Sequence, residues 1–418
     1  MSPSADPDSL GRRSPHFVEF VALVAFMMGI GAFGVDNLLP AFPALAERFG
    51  VRNANELQLC IYVYIFSFGV FQLVYGPLAD VLGRRSSFLI GLTVFAAGSL
   101  LAVLAPNFEV LLLARAIQGA GGAAGRVVAI AIVRDRFAGR EMARVMSLTM
   151  MVFITVPIFA PAIGALLLAF GDWHGIFLAM LVLSIGLFAW FARRMPETLR
   201  TEDRMPASLS ALVGGARQTL TNRTAFGYST AFGCLFACVM GYVGSAQQIF
   251  AGPVYGLGDL FTLVFAGVAA MMGAAALLNA RLVRHFGMHR ISHGAVVALV
   301  VLSAAQCAAA LAYDGRPPLA LICTILGLTQ FAMSLAMPNF NALAMEPLGH
   351  VAGTASSLIG CYTTIVGAVL GGVIGQSFNG SVLPLALGYL SFTVLVLVMV
   401  LVTERGRLFR PTHLEAAR

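Results

Sequence analysis

Long runs of apolar residues, separated by short polar segments, fill the chain from Phe17 to Val402. A helix that spans a bilayer needs about 20 consecutive apolar residues. Dividing the chain at its charged, Pro-rich and Gly-rich segments predicts twelve such helices, over residues 17–39, 57–78, 87–105, 109–133, 143–169, 174–192, 224–247, 259–281, 291–312, 317–343, 353–378 and 383–403. The pattern therefore predicts an all-α polytopic membrane protein with twelve transmembrane helices.

The predicted helices form two pseudo-symmetric halves of six. We predict an N-terminal tail, an N-terminal six-helix half, a polar central linker, a C-terminal six-helix half and a C-terminal tail over residues 1–16, 17–192, 193–223, 224–403 and 404–418. The segments Gly76–Arg85 and Ala280–Arg290 lie in corresponding places and share their Leu and Gly spacing. Duplicated halves with a substrate site between them at the midplane are one architecture of secondary transporters.

Composition and charge agree with a membrane protein. Hydrophobic residues make up 59% of the chain and charged residues 11%, against about 45–50% and about 25% in soluble domains. These values exclude soluble enzymes, nucleic-acid binders and disordered scaffolds. The 26 basic residues are all arginines, and only Arg48, Arg52 and Arg316 fall in loops on the side opposite the termini. The positive-inside rule then predicts that both termini are cytoplasmic.

Cysteines and histidines do not predict a metal or catalytic centre. The six cysteines lie in apolar stretches without paired or metal-ligand spacing. His285, His289 and His293 share one helix face beside a basic loop, and we expect that they are solvated there. We expect no cofactor, metal or enzymatic activity. A non-transporting sensor would need an effector domain, for which the central linker is too short.

Several motifs carry a resemblance to a known family. The segment Gly76–Arg85 matches a G-x-L-x-D-x-x-G-R-R pattern and resembles the signature of the major facilitator superfamily. A finer resemblance is to the Bcr/CflA drug-resistance branch of the drug:proton antiporters, and it rests on Asp36–Pro40, Arg115–Gly119, Val133–Asp135, Met345–Pro347 and Ala352–Ser357. The resemblance implies the twelve-helix major facilitator fold, multidrug or antibiotic efflux driven by the proton motive force, a bacterial inner membrane and a monomer.

The resemblance also implies a latch at the cytoplasmic side that holds the outward-open state. We predict that it consists of Gly76, Asp80, Gly83, Arg84, Arg85, Arg134 and Asp135. Asp80 is expected to accept hydrogen bonds from the N-terminus of predicted helix 11, and Arg84 and Arg85 to pair with acids such as Asp135 or Glu197. The alternative is that these charges only set the topology.

Charged residues inside predicted helices are candidates for function, because each costs about 2.5–3.5 kcal/mol on insertion scales. Asp36 lies in helix 1 and Arg115 lies at a similar depth in helix 4, which is a neighbour in the superfamily fold. We expect the two to form a couple that exchanges protons or binds substrate. The alternatives are a carboxylate that faces outside water and a pair that only fixes helix packing.

Arg126 follows Arg115 by three helical turns and projects from nearly the same face. It is expected either to line a cavity that attracts anionic or phenolate substrates or to extend toward the inner interface. Some related antiporters carry a second carboxylate in helix 1, where this chain has Met27, Met28 and Gly29, so we expect neutral or weakly acidic substrates. The other candidates for cavity-lining residues are Phe33, Asn37, Tyr62, Gln118, Gly122 and Asn339, although Asn339 could equally bind a neighbouring helix.

The sequence favours a proton-coupled secondary antiporter that exports small lipophilic compounds by alternating access. Its partners are then a small-molecule substrate, protons and the lipid bilayer, with no nucleic acid. The alternative is an exporter or symporter of a specific endogenous metabolite, because a fold does not fix a function.

Overall fold

The computed structural model describes residues 15–204 and 209–409, which are almost entirely helical. Within these ranges, 12 helices are long and apolar enough to cross a membrane, which confirms the predicted fold class. The helices are α1 Phe17–Asp36, α2 Leu59–Leu82, α3 Arg84–Val103, α4 Phe108–Arg136, α5 Gly139–Phe170, α6 His174–Arg194, α7 Arg223–Ala246, α8 Phe261–Phe286, α9 Met288–Ala312, α10 Leu319–Met345, α11 Ala352–Gln376 and α12 Leu383–Thr403.

Most boundaries fall within a few residues of the predicted ones, and the differences have local causes. Helix α1 ends at Asp36 instead of residue 39, and a 3₁₀ turn at Leu39–Ala41 leads into a short helix, Phe42–Phe49. Pro40 lies in this turn and cannot donate a backbone hydrogen bond, so the α-helix stops before it. The predicted linker contains a helix, Leu209–Thr221.

The helices pack as two halves, which we call the N half (α1–α6) and the C half (α7–α12). Across the boundary, α2 packs on α11 and α5 packs on α8. One end of the bundle carries the start of α1, the α2–α3 turn and the end of α12, together with most of the arginines. We call it the basic end, and we call the other one the far end. The division at residues 193 and 223 stays a prediction, and the tails lie largely outside the described residues.

A buried polar cluster at the basic end of the C half corrects the expectation for one histidine. His293 is fully buried instead of solvated. Its Nε2 lies 3.2 Å from the Tyr228 hydroxyl, which donates to Glu404 Oε1 at 2.6 Å. The backbone N–H of Phe409 donates to His293 Nδ1 at 2.9 Å. These bonds join the residues after α12 to α7 and α9. The position of His293 near a loop in the sequence did not predict these contacts.

Helix α4 packs unusually close to α1 because it presents glycine at the contact. A Cβ added at Gly125 would overlap the carbonyl oxygen of Met27 on α1. Backbone cannot move aside as a flexible side chain can, so the two helices would have to separate. This approach places α4, which carries Arg115 and Arg126, directly beside the helix that carries Asp36.

We expect Gly125→Val to lower the thermal stability of the purified protein, because overpacking costs about 1–3 kcal/mol or more. Gly186→Ala is the matched control: Gly186 lies in α6 with nothing near its missing Cβ, and alanine favours a helix over glycine. The melting temperature in detergent measures both. A Gly125→Val protein as stable as the Gly186→Ala protein would contradict the close packing.

Candidate functional site

The far end is closed by a cluster of side-chain amides that joins the halves. Asn55 Nδ2 donates to the carbonyl oxygens of Gln376 at 3.0 Å and Phe378 at 2.9 Å, and Gln376 Nε2 donates to the Asn55 carbonyl at 2.7 Å. Gln248 Nε2 donates to Asn55 Oδ1 at 2.9 Å, and Gln58 Nε2 donates to Gln248 Oε1. We call Asn55, Gln58, Gln248 and Gln376 the amide cluster. Sequence reasoning missed it, although uncharged amides beside apolar runs were a visible signal.

Asp36 is the last residue of α1 and is buried, with 6% of its surface exposed. No hydrogen bond or ion pair joins it to another residue in the described part of the chain. Asp36 lies within electrostatic range of two tyrosines, Tyr64 of α2 and Tyr242 of α7. The Tyr242 hydroxyl is itself buried without a hydrogen-bond partner. Asp36 therefore lies next to the boundary between the halves, in a place where its charge is not neutralised.

Arg115 is fully buried, and its guanidinium is occupied by groups of the N half. It donates to the carbonyl oxygens of Gly34 at 2.6 Å and Cys60 at 3.0 Å, and to Gln118 Oε1 at 2.7 Å. Its Cζ also lies 4.4 Å from the centre of the Tyr64 ring, a cation–π contact. Arg115 thus joins α1, α2 and α4.

The expected Asp36–Arg115 couple is wrong as an ion pair, since the described residues show none between them. Equal depth along two helices does not fix which way each side chain points. Gly34 lies two residues before Asp36 and takes up one arm of Arg115 through its backbone carbonyl. Arg115 therefore fixes the last turn of α1, which carries the carboxylate, without binding the carboxylate itself.

The other cavity candidates divide between interior packing and the boundary. Gln118 donates to Ser99 Oγ at 2.8 Å and approaches the Met180 sulfur at 3.3 Å, so it lies inside the N half, not in a cavity. Asn339 donates to Asn279 Oδ1 at 2.9 Å, which is the packing alternative.

Gly122 faces the Tyr64 hydroxyl, and Phe33 packs partly buried against the core. Asn37 is fully buried, and neither of its amide atoms has a hydrogen-bond partner in the described part of the chain. Tyr62 does lie between the halves, 3.5 Å from the Met240 carbonyl of α7 and along an apolar groove of about 520 Å³ between α2 and α11. Tyr62 thus borders a groove, which is lined mainly by apolar side chains.

At the basic end, the predicted latch residues form contacts mainly within the N half. Arg84 binds Asp80 at 2.5 Å and Asp135 at 3.0 Å, while Glu197 accepts the backbone N–H groups of Arg84 and Arg85. Gly83 turns the chain with a φ of 92°, a value that favours glycine. The expected hydrogen bonds from α11 to Asp80 do not occur among the described residues, because Asp80 is bound to Arg84.

The latch segment nevertheless reaches the C half by close approach. A Cβ added at Gly76 would lie 2.8 Å from Ser357 Oγ, so the Ser357 side chain of α11 packs against the backbone of α2 at this glycine. Arg134 Nη1 lies 3.6 Å from the corresponding position at Gly353, near the start of α11. Four of the latch residues, Gly76, Asp80, Arg84 and Arg134, thus border a gap between the halves.

This gap is a cavity of about 120 Å³, which we call the basic-end cavity. Residues of α2 and α4 line it from the N half and residues of α10 and α11 from the C half, and they include Arg126. Arg115 and Arg126 therefore separate, although the sequence put them on one helix face: Arg115 enters the N half and Arg126 borders the cavity. The expectation that Arg126 faces a cavity agrees with this placement.

We expect Asn55→Ala to weaken closure of the far end, because it removes several hydrogen bonds that cross between the halves. Spin labels at Arg52→Cys and Asn379→Cys, in a chain with Cys323→Ser, report the far-end separation by pulsed electron paramagnetic resonance. Adding Asn55→Ala to this labelled protein should raise the population at longer distances. Adding Glu56→Gln to the same labelled protein is the control, and it should leave the distances unchanged. An unchanged distance distribution would show that the amide cluster does not hold the halves together.

We expect Arg115→Lys to destabilise the protein, because one ammonium group cannot reach two carbonyls and an amide in the geometry of a guanidinium. Loss of buried charged hydrogen bonds costs about 1.5–3 kcal/mol each. Arg144→Lys is the control, since its side chain is 63% exposed. Equal melting temperatures for the two variants would contradict the anchoring role of Arg115.

Comparison with known proteins places this geometry in a family. The model of the Major Facilitator Superfamily matches residues 21–368. The uncharacterized MFS-type transporter YdgK of Bacillus subtilis is 30% identical over 84% of this chain and 88% of its own. The bicyclomycin resistance protein homolog of Haemophilus influenzae is 29% identical over 88% of this chain and 91% of its own.

A solved structure confirms the fold. The structure of the xylose transporter XylE from Escherichia coli, described as a partially occluded inward open conformation, superimposes with a TM-score of 0.73. It is 13% identical, and the match covers 92% of this chain and 97% of the other. Twelve apolar helices in two packed halves, together with the family match, show that this chain is a multi-pass membrane transporter of the Major Facilitator Superfamily.

Proposed function

We propose that this protein is a proton-coupled antiporter that exports small lipophilic compounds, and that Asp36 carries the proton. The observation that supports it is the burial of Asp36 at the boundary between the halves without a cation or hydrogen-bond partner in the described residues. A carboxyl group in such a place is stable only while it carries a proton, because burying an unpaired charge is costly.

Coupling follows from that cost. With a charged Asp36, closing the halves over the site would bury an unpaired anion. The transporter would then change sides only when Asp36 is protonated or when a hydrogen-bond donor, from a bound substrate or from Tyr242, satisfies the carboxylate. Protons would load when the far end opens and leave when water enters from the basic end, while substrate moves the other way. Each elementary charge that crosses contributes about 2.3 kcal/mol per 100 mV.

Arg115 acts in this scheme as a positioning residue. It fixes the Gly34 carbonyl two residues before Asp36 and holds α1 against α2 and α4. The carboxylate therefore stays at a defined depth while the halves move. Tyr242 of α7 presents an unpartnered hydroxyl from the other half, which makes it a candidate partner for Asp36 during the cycle.

The orientation that fits export places the basic end in the cytoplasm of a bacterial cell, with the protein in the inner membrane. The arginine-rich loops and both termini support this by the positive-inside rule. The amide cluster would then close the periplasmic side, and the chain would act as a monomer. Release of the amide cluster would open the far end.

The substrate class rests on one relative and on the groove between α2 and α11, whose lining includes the exposed side chains of Phe66 and Val369. The Haemophilus influenzae relative is named for bicyclomycin resistance, and the groove beside Tyr62 is lined mainly by apolar side chains, which suits lipophilic compounds. A dedicated metabolite transporter on the same fold is the alternative. It would respond to one compound instead of many.

The test is substrate-dependent proton release from energised everted membrane vesicles. Collapse of the pH gradient is followed on addition of a panel of neutral, acidic and cationic antimicrobials. We expect release for several compounds with the wild type and none with Asp36→Asn. Asp259→Asn is the control, because Asp259 is an exposed acid at the far end, and it should behave as the wild type does.

Release that persists in Asp36→Asn would contradict the role of Asp36. A response to a single endogenous compound alone would favour the metabolite transporter. Equal amounts of each variant in the membrane, measured by immunoblot, separate loss of coupling from loss of protein.

A further inference from the structure

We propose that the basic-end cavity is a binding site for small organic anions, with Arg126 as the residue that pairs with their acidic group. This inference rests on the proposed function and names a substrate class for it: carboxylates and similar monoanions with an apolar body. Three features of the cavity support it: Arg126 without a partner among the described residues, the charges around it, and its position between the halves.

Arg126 is an arginine within a membrane-spanning helix. It lies on α4 about 15 Å from the end of the helix at Arg136, at 1.5 Å per residue, and its side chain is partly buried. No hydrogen bond or ion pair links it to any of the described residues. Arginines within membrane spans are costly and normally pair with an acid or a carbonyl. Arg126 is thus a cation without a protein partner on the wall of a cavity.

The charged side chains around the cavity leave it with an excess of positive charge. Its acid, Asp80, is bound to Arg84, which also takes Asp135. Arg134 lines the cavity nearer the basic end and likewise has no ion-pair partner in the described part of the chain. Two arginines are therefore available to a ligand, while the neighbouring carboxylates are occupied. A site with this balance attracts anions and disfavours cations.

The C half presents hydrogen-bond donors to the same cavity. Asn341 of α10 and Ser356 and Ser357 of α11 line the same cavity and can donate hydrogen bonds to an oxyanion. Toward the midplane, Gln72 donates to Thr364 Oγ1 at 3.0 Å and joins α2 to α11. A cavity of about 120 Å³ suits a compact acidic head group.

The location gives the site a role in transport. The arginines belong to the N half and the hydrogen-bond donors to the C half, so an anion bound between them contacts both. A ligand with such contacts favours the conformation in which they are together. Export of an anion in exchange for an entering proton also moves charge in one direction, so an inside-negative potential drives both movements.

The experiment measures binding without a proton gradient, so that it does not depend on transport. The protein in zwitterionic lipid nanodiscs is titrated with fluorescent 2-naphthoate and with its neutral counterpart 2-naphthamide. We expect Arg126→Gln to weaken 2-naphthoate binding at least about tenfold, as for one hydrogen bond to a charged group. Arg126→Lys should retain most of the affinity, and Arg144→Gln, which removes an exposed charge outside the cavity, all of it.

Two further measurements decide the source of the anion and the integrity of the variants. Inorganic phosphate and phosphatidylglycerol are tested as competitors of 2-naphthoate. Weak competition by both supports an organic substrate, whereas displacement by phosphatidylglycerol at low mole fraction would assign the site to a lipid headgroup and overturn the substrate proposal. Unchanged 2-naphthamide binding in Arg126→Gln shows that the variant is folded.

The inference is overturned if 2-naphthoate binds no more tightly than 2-naphthamide, or if Arg126→Gln binds it as the wild type does. That failure would leave the proposed function intact whenever neutral drugs still release protons from vesicles. Conversely, Arg126-dependent binding without proton release for any compound would preserve the anion site and contradict antiport.

Discussion

The structure depends on how an apolar bundle accommodates charge that water cannot reach. Arg115 is fully buried and satisfied by two backbone carbonyls, one amide oxygen and an aromatic face. These contacts join three helices of the N half and set the position of the last turn of α1. Asp36, at the end of that turn, is left without a comparable partner. The contrast between a buried cation that is fully bonded and a buried acid that is not gives the N half its chemical character.

The two ends of the bundle differ in the kind of contact that joins the halves. At the far end, neutral amides exchange hydrogen bonds across the boundary. Neutral hydrogen bonds are directional but each contributes only about 0.5–1.5 kcal/mol net, so such a closure can open again. At the basic end, Arg84 and its two acids stay within the N half. A cavity lies between the halves there, and its Arg126 and Arg134 have no ion-pair partner among the described residues.

Sequence alone predicted the helices well because hydrophobic length is a strong signal in a membrane protein. The twelve spans follow from runs of about 20 apolar residues, and the break after Asp36 traces to Pro40. The residues of interest, Asp36, Arg115 and Arg126, could also be selected, since charges inside apolar runs are conspicuous. Asp135 could be paired with Arg84 because the motif places both near one end of the bundle, whereas Asp80 was expected to bind helix 11 and instead binds Arg84.

The directions of side chains and their hydrogen-bond partners were harder to predict, because they depend on how the helices are rotated relative to one another. Arg115 points into the N half instead of toward Asp36, and Gln118 and Asn339 bind neighbouring helices instead of lining a cavity. The amide cluster combines residues from three separate parts of the chain, so amides beside apolar runs are visible in the sequence but their meeting is not. Burial of His293 likewise depends on Tyr228 and on Phe409, which are distant in sequence.

The central claim is that Asp36 holds a proton while the site is closed to water. Infrared difference spectroscopy of the protein in lipid, with the aspartates labelled by ¹³C at the carboxyl carbon, detects the C=O stretch of a protonated aspartic acid directly. We expect the C=O band of a protonated aspartic acid at neutral pH in the wild type. The label should shift this band, and Asp36→Asn should remove it. A wild-type spectrum without this band, or a band that persists in Asp36→Asn, would contradict the claim.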